Sequence, residues 1–231
     1  MDRNSNAYTF IFAIIMVIAV ASILAFTATS LKPLQAENVR LEKMQSILST
    51  IGVSVERNEA GATFEQYVKQ QLALNPDGTV NEDVDAFSIE LMKETKKPHE
   101  EQAYPIYIAE KDGKTYYVIP LFGAGLWKEI WGYMALDSDK NTIVGASFDH
   151  AGETPGLGAE INQGWYGDQY IGKTIMDDSN NFVSVKAVKG GAKPGDPHGV
   201  DGISGGTITT DGVNNMVEER LKNYLPYFKN N

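Results

Sequence analysis

The sequence contains no cysteine. Disulfides, iron–sulfur clusters, thiolate zinc sites and a cysteine nucleophile are therefore excluded together. The same absence does not fix a compartment. Histidine is nearly as scarce: His99, His150 and His198 lie far apart and outside any His-Glu-x-x-His helix pattern, so no metal site is expected. Positive charge is also short. Twenty Lys and Arg face 30 Asp and Glu, for a formal charge of −10. No basic patch stands ready for nucleic-acid phosphates, and nucleic acid is not an expected partner.

Several nucleotide and hydrolase signatures are missing as well. There is no Gly-Lys-Ser/Thr phosphate loop. Gly123-Ala-Gly125 has Lys128 where a dinucleotide fingerprint needs its third glycine, and no clean βαβ crossover follows. His150, Asp201 and Ser204 contain the residue types of a hydrolase triad, but the Gly-x-Ser-x-Gly elbow is absent around Ser204. His150 reads instead as a strand-end residue making one hydrogen bond.

Asn4 to Leu31 is a run of 28 residues without a charge. A hydrocarbon core about 30 Å thick needs about 20 helical residues, and this run supplies them. A cleaved signal peptide would have a shorter apolar stretch ending in a small-x-small site; here Phe26-Thr-Ala28 puts a bulky residue in that place. A retained anchor in the lipid bilayer is expected. Ala13, Ala19, Ala21 and Ser22 offer it small surfaces for close contact with other membrane helices. Arg3 precedes the span, while Lys32, Arg40 and Lys43 follow it. Read literally, that bias puts the remainder in the cytoplasm, but two charges are a small difference and the rule is weak for long domains.

Beyond Pro33, Met44, Ile47, Leu48 and Ile51 follow helical spacing, with Gly52 as a stop; this helix can continue the anchor as a stalk. Thr63-Phe-Glu-Gln66 fits a capping box and predicts a second helix through Leu74, ended by Asn75-Pro-Asp-Gly78. Two hairpins follow. One joins strands around residues 106–109 and 115–120 through Lys111-Asp-Gly-Lys114; the other joins 131–136 and 142–148 through Asp137–Asn141. Phe182–Val188 alternates like a half-buried strand. A helix is predicted from Thr210 or Asp211 to Pro226, with Val213, Met216, Val217, Arg220, Leu221 and Tyr224 facing inward. The fold class is α+β: a single N-terminal transmembrane helix followed by one mixed α+β domain.

Of 22 glycines, 17 lie between Gly123 and Gly206, gathered in loops at 122–127, 152–160 and 190–206. Such loops can cradle a flat or phosphorylated ligand, or they can simply be turns in a strand-rich domain. The stretch Asp201-Gly-Ile-Ser-Gly-Gly-Thr207-Ile-Thr-Thr210 leaves a similar choice. Its hydroxyls can cap the following helix, or one of them can be a modified group beside free helix N–H donors.

That stretch resembles the flavinylation motif Asp-x-x-Ser/Thr-Gly-small-Thr-x-x-Ser/Thr of the covalent-FMN-binding domain family, matching at Asp201, Ser204, Gly205, Thr207 and Thr210, with Gly206 in place of the usual Ala. His150-Ala-Gly-Glu-Thr-Pro-Gly-Leu-Gly158 is similar to the family's His-x-Gly-Glu-Thr-Pro-Gly-Leu-Gly loop, and Gly123–Trp127 and Gly172-Lys173 match further landmarks. The anchor, Leu31–Val39 and the stalk resemble those of family members that serve as the C subunits of Na⁺-translocating NADH:quinone reductases. The G subunits of Rnf-type electron-transport complexes are the alternative, though usually shorter between anchor and flavin domain. A cofactor-free anchored binding or scaffold protein is the reading from a different class.

The resemblance implies an anchor over 1–31, a stalk and N-terminal soluble part over 32–103, and a covalent FMN-binding domain over 104–231. FMN would be joined through its phosphate to Thr207 by a flavin transferase. The domain would lie on the outer, periplasmic side of a bacterial inner membrane, among other subunits of the reductase complex. Glu153, Thr154, Pro155, Gly156, Leu157 and Gly158, with Leu126 and Trp127, would surround the ring. Ser204, Gly205, Gly206 and Lys173 would lie near the phosphate, with Asp201 and Thr210 completing the motif. The chain would be a one-electron carrier with no catalytic acid or base and no NADH turnover of its own.

Overall fold

The computed structural model describes residues 5–231. The chain forms two compact units, one ending at Lys43 and one running from Met44 to Asn231. Helix α1 (Asn6–Thr50) contains Pro33 in its interior, so the apolar run and the stalk predicted beyond Pro33 are one element. Between Phe10 and Phe26 its large apolar side chains are exposed, and the helix is long and apolar enough to cross a membrane. Among the described residues it is the one helix of that kind.

In the second unit, the last turns of α1 bury Met44, Ile47 and Leu48, as their spacing predicts. The helix stops at Gly52. That residue takes φ +69°, and the amides of Gly52 and Val53 donate back to the carbonyls of Ser49 and Leu48. This paired closure satisfies carbonyls that a helix end leaves open. The Lys111 ammonium adds donors to the carbonyls of Ile51 and Gly52 at 2.9 and 3.0 Å, at the end of the helix where positive charge is favoured.

Helix α2 (Ala60–Tyr67) is followed by strand β1 (Val68–Leu74), which corrects the predicted helix through Leu74. Lys, Gln, Leu and Ala are all good helix formers, so local propensity favours a helix over these residues. Antiparallel pairing with β2 (Tyr104–Lys111) overrides it, burying Val68, Ala73 and Leu74. Between them lies the short helix α3 (Leu91–Glu94). The sheet continues through β3 (Lys114–Ala124), β4 (Glu129–Leu136) and β5 (Ile143–His150), all antiparallel in the order β1-β2-β3-β4-β5. The β2–β3 turn is Asp112-Gly113 with φ +53° and +75°, the geometry that matches strand twist in a two-residue hairpin.

After β5 come helix α4 (Gly164–Asp168) and a parallel pair, β6 (Lys186–Val188) with β7 (Gly199–Asp201). The strand predicted over 182–188 is therefore three residues long. Ser184 takes φ +62°, and the amides of Val183 and Ser184 both turn to the Ile175 carbonyl. Helix α5 (Thr207–Asn230) packs on β3, burying Val213, Met216, Val217, Leu221 and Tyr224 as predicted. Each such side chain is worth about 1.5–3 kcal/mol relative to exposure. Two predicted bounds of α5 are corrected. It begins at Thr207, because the Thr209 and Thr210 hydroxyls bond elsewhere and Gly206 takes the cap position. Pro226 lies inside it: the turn beyond is held by buried Tyr224 and Tyr227, and Gly78 sits directly against the Pro226–Tyr227 backbone.

Candidate functional site

Three segments far apart in sequence meet at the start of α5. They are the β3–β4 turn, the loop after β5, and the first turn of the helix. Together they line a cavity of about 220 Å³ with Leu126, Glu153, Thr154, Leu157 and Gly158, and with Gly205 through Thr209. Gly206 at the N-cap supplies no side-chain cap. The first N–H groups of α5 thus lack the usual side-chain acceptor and carry the positive end of the helix dipole. Around them stand exposed apolar side chains: Leu126, Leu157 and Ile208. The arrangement joins an anion-binding end to an apolar rim.

Glu153 is the buried charge of the site, 5% exposed. Its Oε1 accepts from the Trp127 amide at 2.9 Å, and Oε2 accepts from the Thr209 hydroxyl at 2.6 Å. Burial raises its pKa, but the Thr209 hydroxyl and the amides of Trp127, Lys128 and Leu126 outweigh that and hold it below the ordinary carboxylate value. The Glu153 amide in turn donates to His150 Nδ1 at 3.2 Å, at the end of β5, which is the modest role the sequence assigned to His150.

Residues 125–222 match the FMN-binding domain family. The chain is 30% identical to the C subunit of the Na⁺-translocating NADH-quinone reductase of Pseudomonas aeruginosa, over 94% of this chain and 91% of that protein. It is 32% identical to the C subunit of the Vibrio anguillarum reductase, over 92% and 89% respectively. The crystal structure of the corresponding C subunit from Parabacteroides distasonis superposes with a TM-score of 0.78 at 42% identity, covering 85% of this chain and 96% of that one. The chain belongs to the C-subunit family of Na⁺-translocating NADH-quinone reductases.

The FMN-binding match of this C-subunit family member contains every residue that lines the cavity. Of the residues singled out in the sequence, Leu126, Glu153, Thr154, Leu157, Gly158, Gly205, Gly206 and Thr207 meet there. Pro155, Gly156, Trp127 and Ser204 are exposed and stand outside the lining. Asp201, Thr210 and Lys173 are engaged elsewhere. Asp201 Oδ1 accepts from the Ala192 amide at 2.7 Å. Thr210 Oγ1 accepts from the Ile203 amide at 3.2 Å. Lys173 donates to the Asp196 carbonyl, fastening the 190s loop rather than facing the cavity.

Sequence reasoning missed two participants. Ile208 lines the cavity and is 58% exposed, which is visible only once the helix is known to begin at Thr207. Thr209 lines it too, buried and bonded to Glu153, although its position ahead of the helix marked it as a cap. Asn214, one turn further along α5, brackets Ala187 of β6, accepting from its amide at 2.7 Å and donating to its carbonyl at 2.9 Å. No local sequence signal announces that bridge.

Proposed function

We propose that this chain is the flavin-carrying subunit of a membrane Na⁺-translocating NADH:quinone oxidoreductase, with FMN joined through its phosphate to the Thr207 hydroxyl. The observation that carries the reading is the position of Thr207. It is the first residue of α5, only partly buried, on the wall of the cavity and beside N–H groups without a side-chain cap. The neighbouring hydroxyls are less suited. Thr209 and Thr210 are 1% and 2% exposed and already bonded within the protein. Ser204 is exposed but does not line the cavity.

FMN fits the residues present. A phosphate suits the open end of α5, where the dipole is worth roughly 0.3–1 kcal/mol toward an anion. The faces of Leu126, Leu157 and Ile208 suit an aromatic ring. A cavity of about 220 Å³ is smaller than the about 300–1,000 Å³ of pockets that engulf a ligand, so the group would remain partly open to a redox partner. When bound, the flavin supplies the one-electron chemistry. The protein's part is to tether, orient and exclude water. Thr207 holds the phosphate end and takes no part in redox steps, and a covalent tether keeps the carrier loaded each time the site opens. No NADH turnover is expected from this chain alone.

Maturation then needs a flavin transferase, and the domain lies on the periplasmic side of the inner membrane with α1 packed among other subunits. The test is peptide mapping of protein made alongside the transferase. FMN-bearing mass is expected on Thr207, absent in Thr207→Ala and partly kept in Thr207→Ser, both of which should melt with the parent. Flavin on Ser204, Thr209 or Thr210 would refute the assignment. A colourless protein with no flavin mass would favour a cofactor-free scaffold.

A further inference from the structure

We infer that Glu153 is a positioning residue: its carboxylate latches together the three walls of the cavity and, through Thr209, sets where Thr207 presents its hydroxyl. The inference rests on the flavin reading of Thr207 for its functional consequence, but the latch itself is a property of the protein alone.

The walls come from the β3–β4 turn, the loop after β5 and the first turn of α5, and the Glu153 carboxylate is carried by one and bonded to the other two. It belongs to the second. Oε1 takes the Trp127 amide of the first at 2.9 Å, and Oε2 takes the Thr209 hydroxyl of the third at 2.6 Å. Both oxygens are thus committed to protein donors, so Glu153 acts on the cavity through the segments it holds. A carboxylate suits the task because it only accepts, and bonds from donors to an ionised acceptor are about twice as strong as neutral ones.

The surrounding glycines keep space for this one side chain. A Cβ on Gly125 would come within 2.6 Å of Glu153 Oε1, and one on Gly158 within 2.7 Å of Oε2 while also overlapping the Thr209 hydroxyl. Two of the glycine-rich loops therefore converge on the latch. Thr209 is two residues from Thr207 in the first turn of α5, where few backbone hydrogen bonds fix the chain. A buried, charge-assisted bond at Thr209 is what ties this turn to the opposite wall.

The experiment uses the full chain in detergent, made once without flavin and once alongside the flavin transferase. Thr209→Val keeps the shape and removes the hydroxyl; Thr209→Ser restores it; Glu153→Leu and the double variant complete a cycle. In flavin-free protein, Thr209→Val and Glu153→Leu should each speed hydrogen exchange at the Trp127 amide roughly tenfold or more. The double variant should do no more than either single one, Thr209→Ser should stay near the parent, and the β2–β3 amides should be unmoved. In the second preparation the flavin-bearing fraction should fall several-fold in Thr209→Val and recover in Thr209→Ser. Unchanged exchange at Trp127 in Thr209→Val, or fully additive effects in the double variant, would overturn the latch. Faster exchange with undiminished flavin loading would overturn its positioning role. If Glu153→Leu does not fold, the Val and Ser variants decide alone. Loss of flavin in every preparation, the parent included, with the exchange pattern intact, would count against the flavin reading and leave the latch standing.

Discussion

Gly156 and Gly158 sit two residues apart in one loop, and the structure gives each a different reason to be glycine. Gly158 has no left-handed backbone; a methyl group there would meet the Thr209 hydroxyl and Glu153 Oε2 at the latch. Neither neighbour is a free side-chain end, since they are bonded to each other at 2.6 Å. Forcing a methyl into such a packed place costs about 1–3 kcal/mol. Gly156 has open space around its missing Cβ but takes φ +75°. An alanine there costs about 1–2 kcal/mol for the left-handed region, offset by about 0.4–1 kcal/mol from a less flexible unfolded chain. For a unit running from Met44 to Asn231, each kcal/mol shifts Tm by about 2–4 °C. Gly158→Ala should therefore lower Tm by about 2–12 °C, and Gly156→Ala by no more than about 6 °C. The asparagine variants separate the causes. Asn tolerates the left-handed region, so Gly156→Asn should melt close to the parent, whereas Gly158→Asn should be worse than Gly158→Ala. Calorimetry or near-ultraviolet circular dichroism reads all four. Equal melting of Gly158→Ala and the parent, or rescue by Asn at 158, would refute the steric account.

Three other outcomes are expected. The folded pKa of Glu153 lies below its ordinary 4.5, so its contribution is present above that pH and is lost as pH falls through the folded value. Tm of the parent relative to Glu153→Gln should then be level at neutral pH and converge in acid; a difference that widens in acid would contradict the sign. Tyr224 is fully buried and donates to the Pro105 carbonyl at 2.8 Å, so Tyr224→Phe should cost about 1–2 kcal/mol in denaturant unfolding, and no change would mean the carbonyl finds another donor. Finally, sequencing the N-terminus of the mature protein should find the apolar part of α1 retained, and a start beyond Ala28 would defeat the anchor.

What could be read from the sequence was whatever is decided locally. The hairpin at Asp112-Gly113 needs only two adjacent residues in the left-handed region, and the inward stripe of α5 needs only helical spacing. Strand β1 was not legible because Val68–Leu74 has helix-forming composition and becomes a strand only by pairing with Tyr104–Ala109, 30 or more residues away. The kink at Ser184 is hidden in the same way. Val185 and Ala187 turn inward and Lys186 and Val188 outward, but Ser184 is buried beside Val185, so the alternation holds only over 185–188 and the backbone carrying it is extended only from Lys186.

The site divides along the same line. The residues of the Asp201–Thr210 motif follow from the family pattern, but the pattern treats as one group side chains that do two kinds of work. Asp201 and Thr210 turn back into the protein, one to the Ala192 amide and one to the Ile203 amide, and shape the loop that leads into α5. Gly205, Gly206 and Thr207 line the cavity that this shaping leaves. Glycine serves both ends: Gly125 makes room for a carboxylate, Gly158 does so while also lining the cavity, and Gly205 lines it with φ +75°. Composition could offer either a ligand cradle or ordinary turns, and the two are not alternatives here. Gly172, Gly190 and Gly195 make open turns with positive φ, while Gly123 packs against Met216 of α5 and Gly125 and Gly158 pack around Glu153, beside the cavity that the distant loops share.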